Sequence, residues 1–199
     1  MSESKVYVGC DPGKTGAMVI LVDGEVLTCT YPTIGNEYDV KGMFEMFSAF
    51  DPKNTHVVIE DVKALQNPFQ SGNWSLSRGK TILEMCCVCL SIPFTMVHSK
   101  TWQKEIWQGV TVQQRSTGKK DKNGNLKYQT LTKETTLLAV KRLFPDVVLS
   151  EQKEVKYYSD TPENRKLGRA LKPIPQKQNK PHEGIIDALA MAEYCRRKF

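Results

Sequence analysis

The first 32 residues contain the feature that most restricts the fold. Residues 5–10 (KVYVGC) and 17–22 (AMVILV) are rich in β-branched or aromatic residues, as strands are. Asp23-Gly24 is a hairpin signal and leads into a third such run, residues 25–32. Three strands joined by tight turns pair as an antiparallel meander, so the rest of the chain must pack on the faces or an edge of this sheet.

The remaining chain alternates between helix and strand patterns. The spacing of apolar residues predicts strands over residues 56–62 and 93–98, with a loop over residues 64–79. It predicts helices over residues 39–50, 80–90, 133–143 and 182–199. We therefore expect an α/β fold in which a mixed five-stranded sheet, three antiparallel strands then parallel ones, is flanked by helices.

The distribution of charge is uneven along the chain, whose net charge is +6. Residues 100–133 contain eight lysines or arginines and two acids, and residues 151–180 contain eight and four, so the remainder is net negative. This pattern is typical of an enzyme that holds cations at carboxylates and binds a polyanion around them, although solvated basic loops are the alternative. We expect one domain over residues 1–199, with basic, flexible insertions at about 108–131 and 151–180.

Membrane and export signals are missing from the sequence. No apolar run reaches the roughly 18 residues of a membrane span, and the first residues lack the order of a signal peptide. We therefore expect a cytoplasmic protein without a membrane partner. The six cysteines are interpreted as small buried hydrophobic residues.

Residues 8–20 (VGCDPGKTGAMVI) nearly spell a phosphate-binding Walker loop. That loop needs four residues between its first glycine and Gly-Lys-Ser/Thr, whereas Gly9 and Gly13 enclose three. It must also open a helix, whereas a strand pattern follows here, and Asp11 in its middle would repel phosphate. We therefore expect no nucleotide cofactor and interpret Asp11 as the important residue of the turn.

Four acidic residues are predicted to converge at the ends of three elements. Asp11 and Glu60 each end a strand, and Glu183 and Asp187 share one face of the last helix. Carboxylates in apolar surroundings are costly unless paired or metal-bound, and a set of oxygen ligands alone suits Mg²⁺ or Mn²⁺. Two such ions can bracket a phosphodiester, so the four acids are predicted metal ligands and catalytic residues. Each acid alone would also suit a turn or a surface position; the set favours the site.

The combination of VGCDPGKTGA, VVIEDV, the aromatic loop after it and HEGIIDALAMAEY resembles the RuvC-type Holliday junction resolvases, particularly their phage-encoded relatives. The resemblance covers nearly the whole chain and fades over residues 108–131 and 151–180. It implies an RNase H-like fold and a homodimer in the cytoplasm of a bacterial host cell. It also implies cleavage of two opposed strands of a four-way DNA junction with divalent metal.

The resemblance also assigns the acids. It makes Asp11, Glu60 and Asp187 the first, second and last acidic residues of the family. Bacterial members carry the remaining acid at the place of Gly184, and phage-like members have an acid one residue earlier, which here is Glu183. His182 is the alternative to Glu183 as the residue that would complete the metal site.

Basic and aromatic residues around these acids are candidates for contacts with DNA. Related enzymes place aromatic side chains in the loop after the second acidic strand, although packing in the protein's own core is the alternative. Trp102 and Trp107 are expected to pack in the core. The candidates for DNA contacts are Lys14, Thr15, Phe69, Trp74, Lys100, Lys104, Lys119, Lys120, Lys122 and Lys133.

Three other functions compete with junction resolution. A nuclease of RNA–DNA hybrids or other nucleic acids would share the chemistry, and an inactive DNA-binding protein would share the fold, although its acids would serve no purpose. An actin-like or sugar-kinase-like ATPase also opens with a strand, an Asp-x-Gly turn and a hairpin. Those ATPases need a second domain, for which 199 residues leave no room. We therefore expect a metal-dependent junction endonuclease.

Overall fold

The structure is a computed structural model that describes residues 4–62, 71–150, 162–166 and 180–199. The strands in these ranges are β1 (Val6–Cys10), β2 (Ala17–Val22), β3 (Glu25–Thr30), β4 (Thr33–Ile34), β5 (Glu37–Tyr38), β6 (Thr55–Glu60), β7 (Phe94–Val97), β8 (Gln114–Lys120) and β9 (Leu126–Thr130). The helices are α1 (Val40–Ser48), α2 (Ser71–Cys89), α3 (Ser99–Ile106), α4 (Thr132–Leu143), α5 (Pro162–Lys166) and α6 (Glu183–Lys198).

The central sheet has five strands in the order β3-β2-β1-β6-β7. β1, β2 and β3 pair antiparallel through the tight turns that the sequence predicts. β6 then pairs parallel with β1, and β7 pairs parallel with β6. The predicted α/β class and the mixed sheet are therefore confirmed.

Some elements differ from the sequence prediction. The loop prediction for residues 64–79 is wrong from residue 71 onward, because α2 begins at Ser71. The first half of α2 (SGNWSLSRG) has no apolar periodicity in its sequence. Gly79 packs closely on other backbone, because a Cβ there would lie 2.1 Å from the carbonyl oxygen of Pro12. Helix α3 was not predicted, nor was the hairpin of β8 and β9 within the basic segment 108–131. Most of the second basic segment, 151–180, lies outside the described residues.

Two apolar cores lie on opposite faces of the sheet because side chains alternate along each strand. Val58 of β6 belongs to the core formed with α3, α4 and α6. Its neighbour Ile59 belongs to the core formed with α1 and α2, as does Val8 of β1. Within the described ranges, no helix is long and apolar enough to span a membrane.

Helix α6 packs directly on β1. A Cβ atom at Gly9 would lie 2.1 Å from the carbonyl oxygen of Ala188 and 2.3 Å from the amide nitrogen of Ala192. In the first turn of α6, a Cβ at Gly184 would lie 2.7 Å from the Cα of Gly16. These two glycine contacts fix the start of α6 above the end of β1.

We predict that Gly9→Ala lowers the free energy of unfolding by about 2–3 kcal/mol, because α6 must move away from β1 to admit the methyl group. Urea denaturation measures this change. Gly13→Ala is the matched control, since a Cβ there would meet its nearest atom at an ordinary 3.5 Å; its effect should stay below about 1 kcal/mol. Equal losses in the two variants would contradict the packing constraint.

Candidate active site

Asp11 follows β1 and shares the sheet face of Gly9, toward α6. The N–H of Asp11 donates to the carbonyl oxygen of Ala17 at 3.0 Å. The N–H of Gly16 donates to the carbonyl oxygen of Gly13 at 2.7 Å. The N–H of Gly13 also donates to Oδ1 of Asp11 at 3.2 Å. The turn therefore closes around the carboxylate and leads into strand β2, whereas a Walker loop would lead into a helix.

Glu60 ends β6 beside Asp11. The parallel register pairs Cys10 with Ile59, so the next residues of the two strands, Asp11 and Glu60, lie side by side on the α6 face. Helix α3 holds the Glu60 side chain: Oγ of Ser99 donates to its Oε1 at 2.6 Å, and Nε1 of Trp102 donates to the same atom at 3.3 Å. Two donors from one helix therefore orient this carboxylate.

Asp187 lies in α6, between the helical turns that contact Gly16 and Gly9. Burial is the main cause that raises the pKa of Asp187 to about 7, and the negative charges of Asp11 and Glu60 raise it further. Burial likewise raises the pKa of Asp11 to about 6, with Glu60 adding to the rise, and the Gly13 N–H opposing it. Asp11 and Asp187 therefore both feel the charge of Glu60 in a poorly hydrated place.

Glu183 and Lys133 lie at the outer side of this group. Lys133, in the first turn of α4, forms an ion pair with Glu183, whose side chain is 63% exposed. The lysine charge lowers the pKa of both Asp11 and Asp187, and the Glu183 charge raises it. Lys133 is thus a cation that acts on both of these half-buried acids.

The start of α6 leaves no room for a side chain at position 184, where bacterial members of the family carry the remaining acid. A side chain at Gly184 would collide with the backbone of Gly16 and Thr15, since its Cβ would lie 2.7 Å from the Thr15 carbonyl oxygen. His182 caps the helix instead, because its Nδ1 accepts a hydrogen bond from the N–H of Ile185 at 3.2 Å. Glu183 is therefore the acid beside the group, and His182 is occupied as a cap.

The structure also locates the basic and aromatic candidates. Trp74 is 77% exposed and precedes Ser75 in α2. The hydroxyl of Tyr38 lies 3.2 Å from the carbonyl oxygen of Ser75 and 3.1 Å from the carbonyl oxygen of Pro12. Trp74 is thus near the Asp11 turn. Phe69 lies outside the described residues. Lys14 donates hydrogen bonds to Asn36. The remaining candidates are all exposed: Thr15 in the turn after Asp11, Lys100 and Lys104 in α3, Lys119 and Lys120 in β8, and Lys122 in the hairpin turn.

Sequence reasoning missed two sets of contacts at the end of β6. Ser99 was not singled out, and Trp102 was expected only to pack in the core; it is buried but also donates to Glu60. A buried indole N–H needs an acceptor, and this need is the signal from which the role of Trp102 could have been predicted. Asp61, on the opposite face, forms an ion pair with Lys80 and lies 3.4 Å from Nε2 of His98.

The donor set suits a hard divalent cation. All four acids offer carboxylate oxygens, and a cation would relieve the repulsion that raises the pKa of Asp11 and Asp187. Across the ranges that the structure describes, however, no three acidic, histidine or cysteine side chains form a group ready to hold a metal ion. Glu60 is turned to Ser99 and Glu183 to Lys133. The four acids are therefore neighbours, but their carboxylates do not together form a metal-binding group in this structure.

Comparison with known proteins gives a likeness in structure but none in sequence. No protein-family model matches this chain, and no curated protein matches its sequence. A solved structure of RuvC from Thermus thermophilus covers 96% of this chain and 96% of its own, with 15% sequence identity and a TM-score of 0.42. At this identity and TM-score, the activity has to be inferred from the residues of the chain itself.

We predict that Asp187→Asn stabilises the metal-free protein at high pH. Because the folded-state pKa values of Asp11 and Asp187 lie above their ordinary 3.8, the folded protein binds more protons than the unfolded chain between about pH 4 and pH 7. Wild-type stability should therefore fall as the pH rises through this window. The variant should gain about 2 kcal/mol at pH 8 and much less at pH 4.5.

Thermal and urea unfolding in EDTA at the two pH values measure this gain. Asp146→Asn is the matched control and should leave stability unchanged, because Asp146 is exposed in the turn that follows α4. A loss of stability in Asp187→Asn that is the same at both pH values would count against the charge repulsion.

Proposed function

We propose that this protein is a metal-dependent endonuclease that resolves four-way DNA junctions by paired phosphodiester hydrolysis. The observation that carries the proposal is the convergence of Asp11, Glu60 and Asp187 on one sheet face. They come from three elements far apart in sequence, and burial and mutual repulsion raise the pKa of Asp11 and Asp187. Gathering like charges in a poorly hydrated place costs stability, and such perturbed carboxylates cluster at functional sites.

Mg²⁺ is the cofactor that this proposal requires, with Mn²⁺ as a substitute. Asp11, Glu60, Glu183 and Asp187 would hold two ions, which activate water and stabilise charge on a phosphodiester when bound. Ser99 and Trp102 keep Glu60 oriented through their hydrogen bonds.

The surroundings of the acids support a nucleic-acid substrate. Lys133 offers a positive charge directly beside the acids, where a substrate phosphate would approach. Lys100 and Lys104 are exposed on α3, the helix that orients Glu60. The exposed indole of Trp74 offers a surface on which an unpaired base can stack, as bases at a branch point can.

A homodimer follows from the proposed reaction. Cutting two opposed strands of one junction requires two sites, and one chain carries one set of these acids. A nuclease of RNA–DNA hybrids would use the same acids and is the second candidate. The exposed Trp74 near the Asp11 turn favours a substrate with unstacked bases. Light scattering on the purified protein, with and without a junction, tests the dimer.

Cleavage of defined substrates tests the proposal. The protein is incubated with a synthetic four-way junction, a linear duplex and an RNA–DNA hybrid, each with and without Mg²⁺. We expect paired, symmetric nicks in the junction with Mg²⁺ only. Asp11→Asn should slow them about 100-fold or more, which is about 2.7 kcal/mol of activation free energy. Asp146→Asn, which removes an exposed charge, should cut like the wild type.

Other results would overturn the proposal. Cleavage of the hybrid alone would assign the second candidate function. Hydrolysis of ATP without any nicking would assign the ATPase class.

We predict that Ser99→Ala weakens the response to Mg²⁺ by about tenfold, because residues that orient metal ligands typically contribute 10- to 100-fold to affinity or activity. The measurement is the Mg²⁺ concentration that gives half-maximal junction cleavage, with thermal unfolding as a check on folding. Ser48→Ala, at the exposed end of α1, is the control and should not change it. An unchanged Mg²⁺ response in Ser99→Ala would show that its bond to Glu60 has no role in the reaction.

A further inference from the structure

The hairpin of β8 and β9 projects from the body of the protein between α3 and α4. It pairs Gln114 with Thr130 at its base and Lys120 with Leu126 near its tip. Every residue of both strands is exposed. An isolated two-stranded hairpin is at best marginally stable in water, so a ribbon of this kind gains most from contact with another molecule.

The ribbon carries a concentrated positive charge. Its single acid, Asp121, is committed to the turn: Oδ1 accepts hydrogen bonds from the N–H of Asn125 at 2.9 Å and of Asn123 at 2.8 Å. In the part of the chain that the structure describes, the basic side chains of the ribbon make no ion pair and no side-chain hydrogen bond. These basic residues are Arg115, Lys119, Lys120, Lys122 and Lys127.

Three of these cations share one face of the ribbon. Arg115 pairs with Gln129, and Lys127 lies two residues before Gln129, so Arg115 and Lys127 lie on the same face. Lys120 pairs with Leu126 on the opposite face, which places its neighbour Lys119 on the face of Lys127. The register shift between Ser116 and Lys120 takes up the extra residues. We call Arg115, Lys119 and Lys127 the basic face.

The base of the ribbon is tied to the candidate site. The N–H of Leu131 donates to the carbonyl oxygen of Gln113 at 2.8 Å, and the N–H of Gln113 donates to Oγ1 of Thr135 in α4 at 3.0 Å. Lys133, two residues after Leu131, pairs with Glu183. The ribbon therefore starts beside the acids, and a seven-residue strand carries it about 20 Å further.

We propose that the ribbon binds a duplex arm of the substrate next to the cut position, with its basic face on the arm's phosphates. The inference rests on the proposed function, because it takes the arm to be one that leads away from the acids. Duplex DNA presents a negative charge about every 1.7 Å along its axis, which matches a row of unpaired cations. A two-stranded ribbon is also narrow enough to enter the major groove. An acidic protein could also bind the positive charge of the ribbon. In that case, however, the affinity for a junction would not depend on the length of its arms.

The test compares two double variants with the same change of charge. Arg115→Gln with Lys127→Gln neutralises two residues of the basic face. Lys53→Gln with Lys141→Gln is the control; both lysines are exposed, Lys53 lies before the start of β6, and Lys141 lies in the last turn of α4. Fluorescence anisotropy in EDTA gives the affinity for junctions whose arms have about 5 or about 15 base pairs, since 15 base pairs exceed the reach of the ribbon.

The ribbon variant should bind the long-armed junction about tenfold more weakly than the wild type, and its slope of log affinity against log salt should be smaller by about 2, one for each lost phosphate contact. Its affinity for the short-armed junction should change little. The control variant should match the wild type on both, and all three proteins should unfold at the same temperature, because the changed residues are exposed.

The two proposals fail in distinguishable ways. If the ribbon variant binds the long-armed junction like the wild type, while the wild type cuts it with Mg²⁺, the ribbon has no role and the proposed function stands. If the ribbon variant loses affinity but the wild type cuts none of the substrates, the ribbon binds DNA and the nuclease proposal is overturned. Equal loss on short and long arms would overturn the assignment of the ribbon to the arm.

Discussion

The contact between α6 and β1 is the constraint on which the site depends. Gly9 admits the backbone of Ala188 and Ala192 to a distance that a single methyl group would prevent, and Gly184 does the same against the turn after Asp11. Asp187 lies between these two contacts. An acid from the last helix therefore reaches an acid from the first strand only because both elements lack side chains where they meet.

The same contact creates an electrostatic cost. Burial and mutual repulsion raise the pKa of Asp11 and of Asp187, so the acids oppose the stability that the packing provides. Lys133 offsets part of the repulsion from outside the group while staying exposed. A protein that keeps this arrangement gives up stability where charges of the same sign are gathered in a poorly hydrated place, as functional sites commonly do.

The end of β6 shows how alternation along a strand separates two roles. Glu60 points to the α3 side and is held by Ser99 and Trp102, while Asp61 points to the α2 side and pairs with Lys80. Consecutive acids in the sequence thus serve different faces of the sheet. Only Glu60 belongs to the group with Asp11 and Asp187.

The sequence by itself determined the meander, the parallel strands and the positions of the acids at strand ends, because local periodicity and turn residues report which side of an element is buried. It also predicted that Asp11, Glu60 and Asp187 would lie close together, since adjacent parallel strands end at the same edge of a sheet and the last helix packs on that sheet. The tertiary structure alone decided that Trp102 donates to Glu60, that no side chain fits at Gly184, and that a basic segment without apolar periodicity pairs with itself as a ribbon. The first two depend on which distant residue or backbone lies nearby, and local periodicity carries no information about such a partner. The ribbon pairs across residues 121–125, and its fully exposed strands leave no apolar alternation that would predict them.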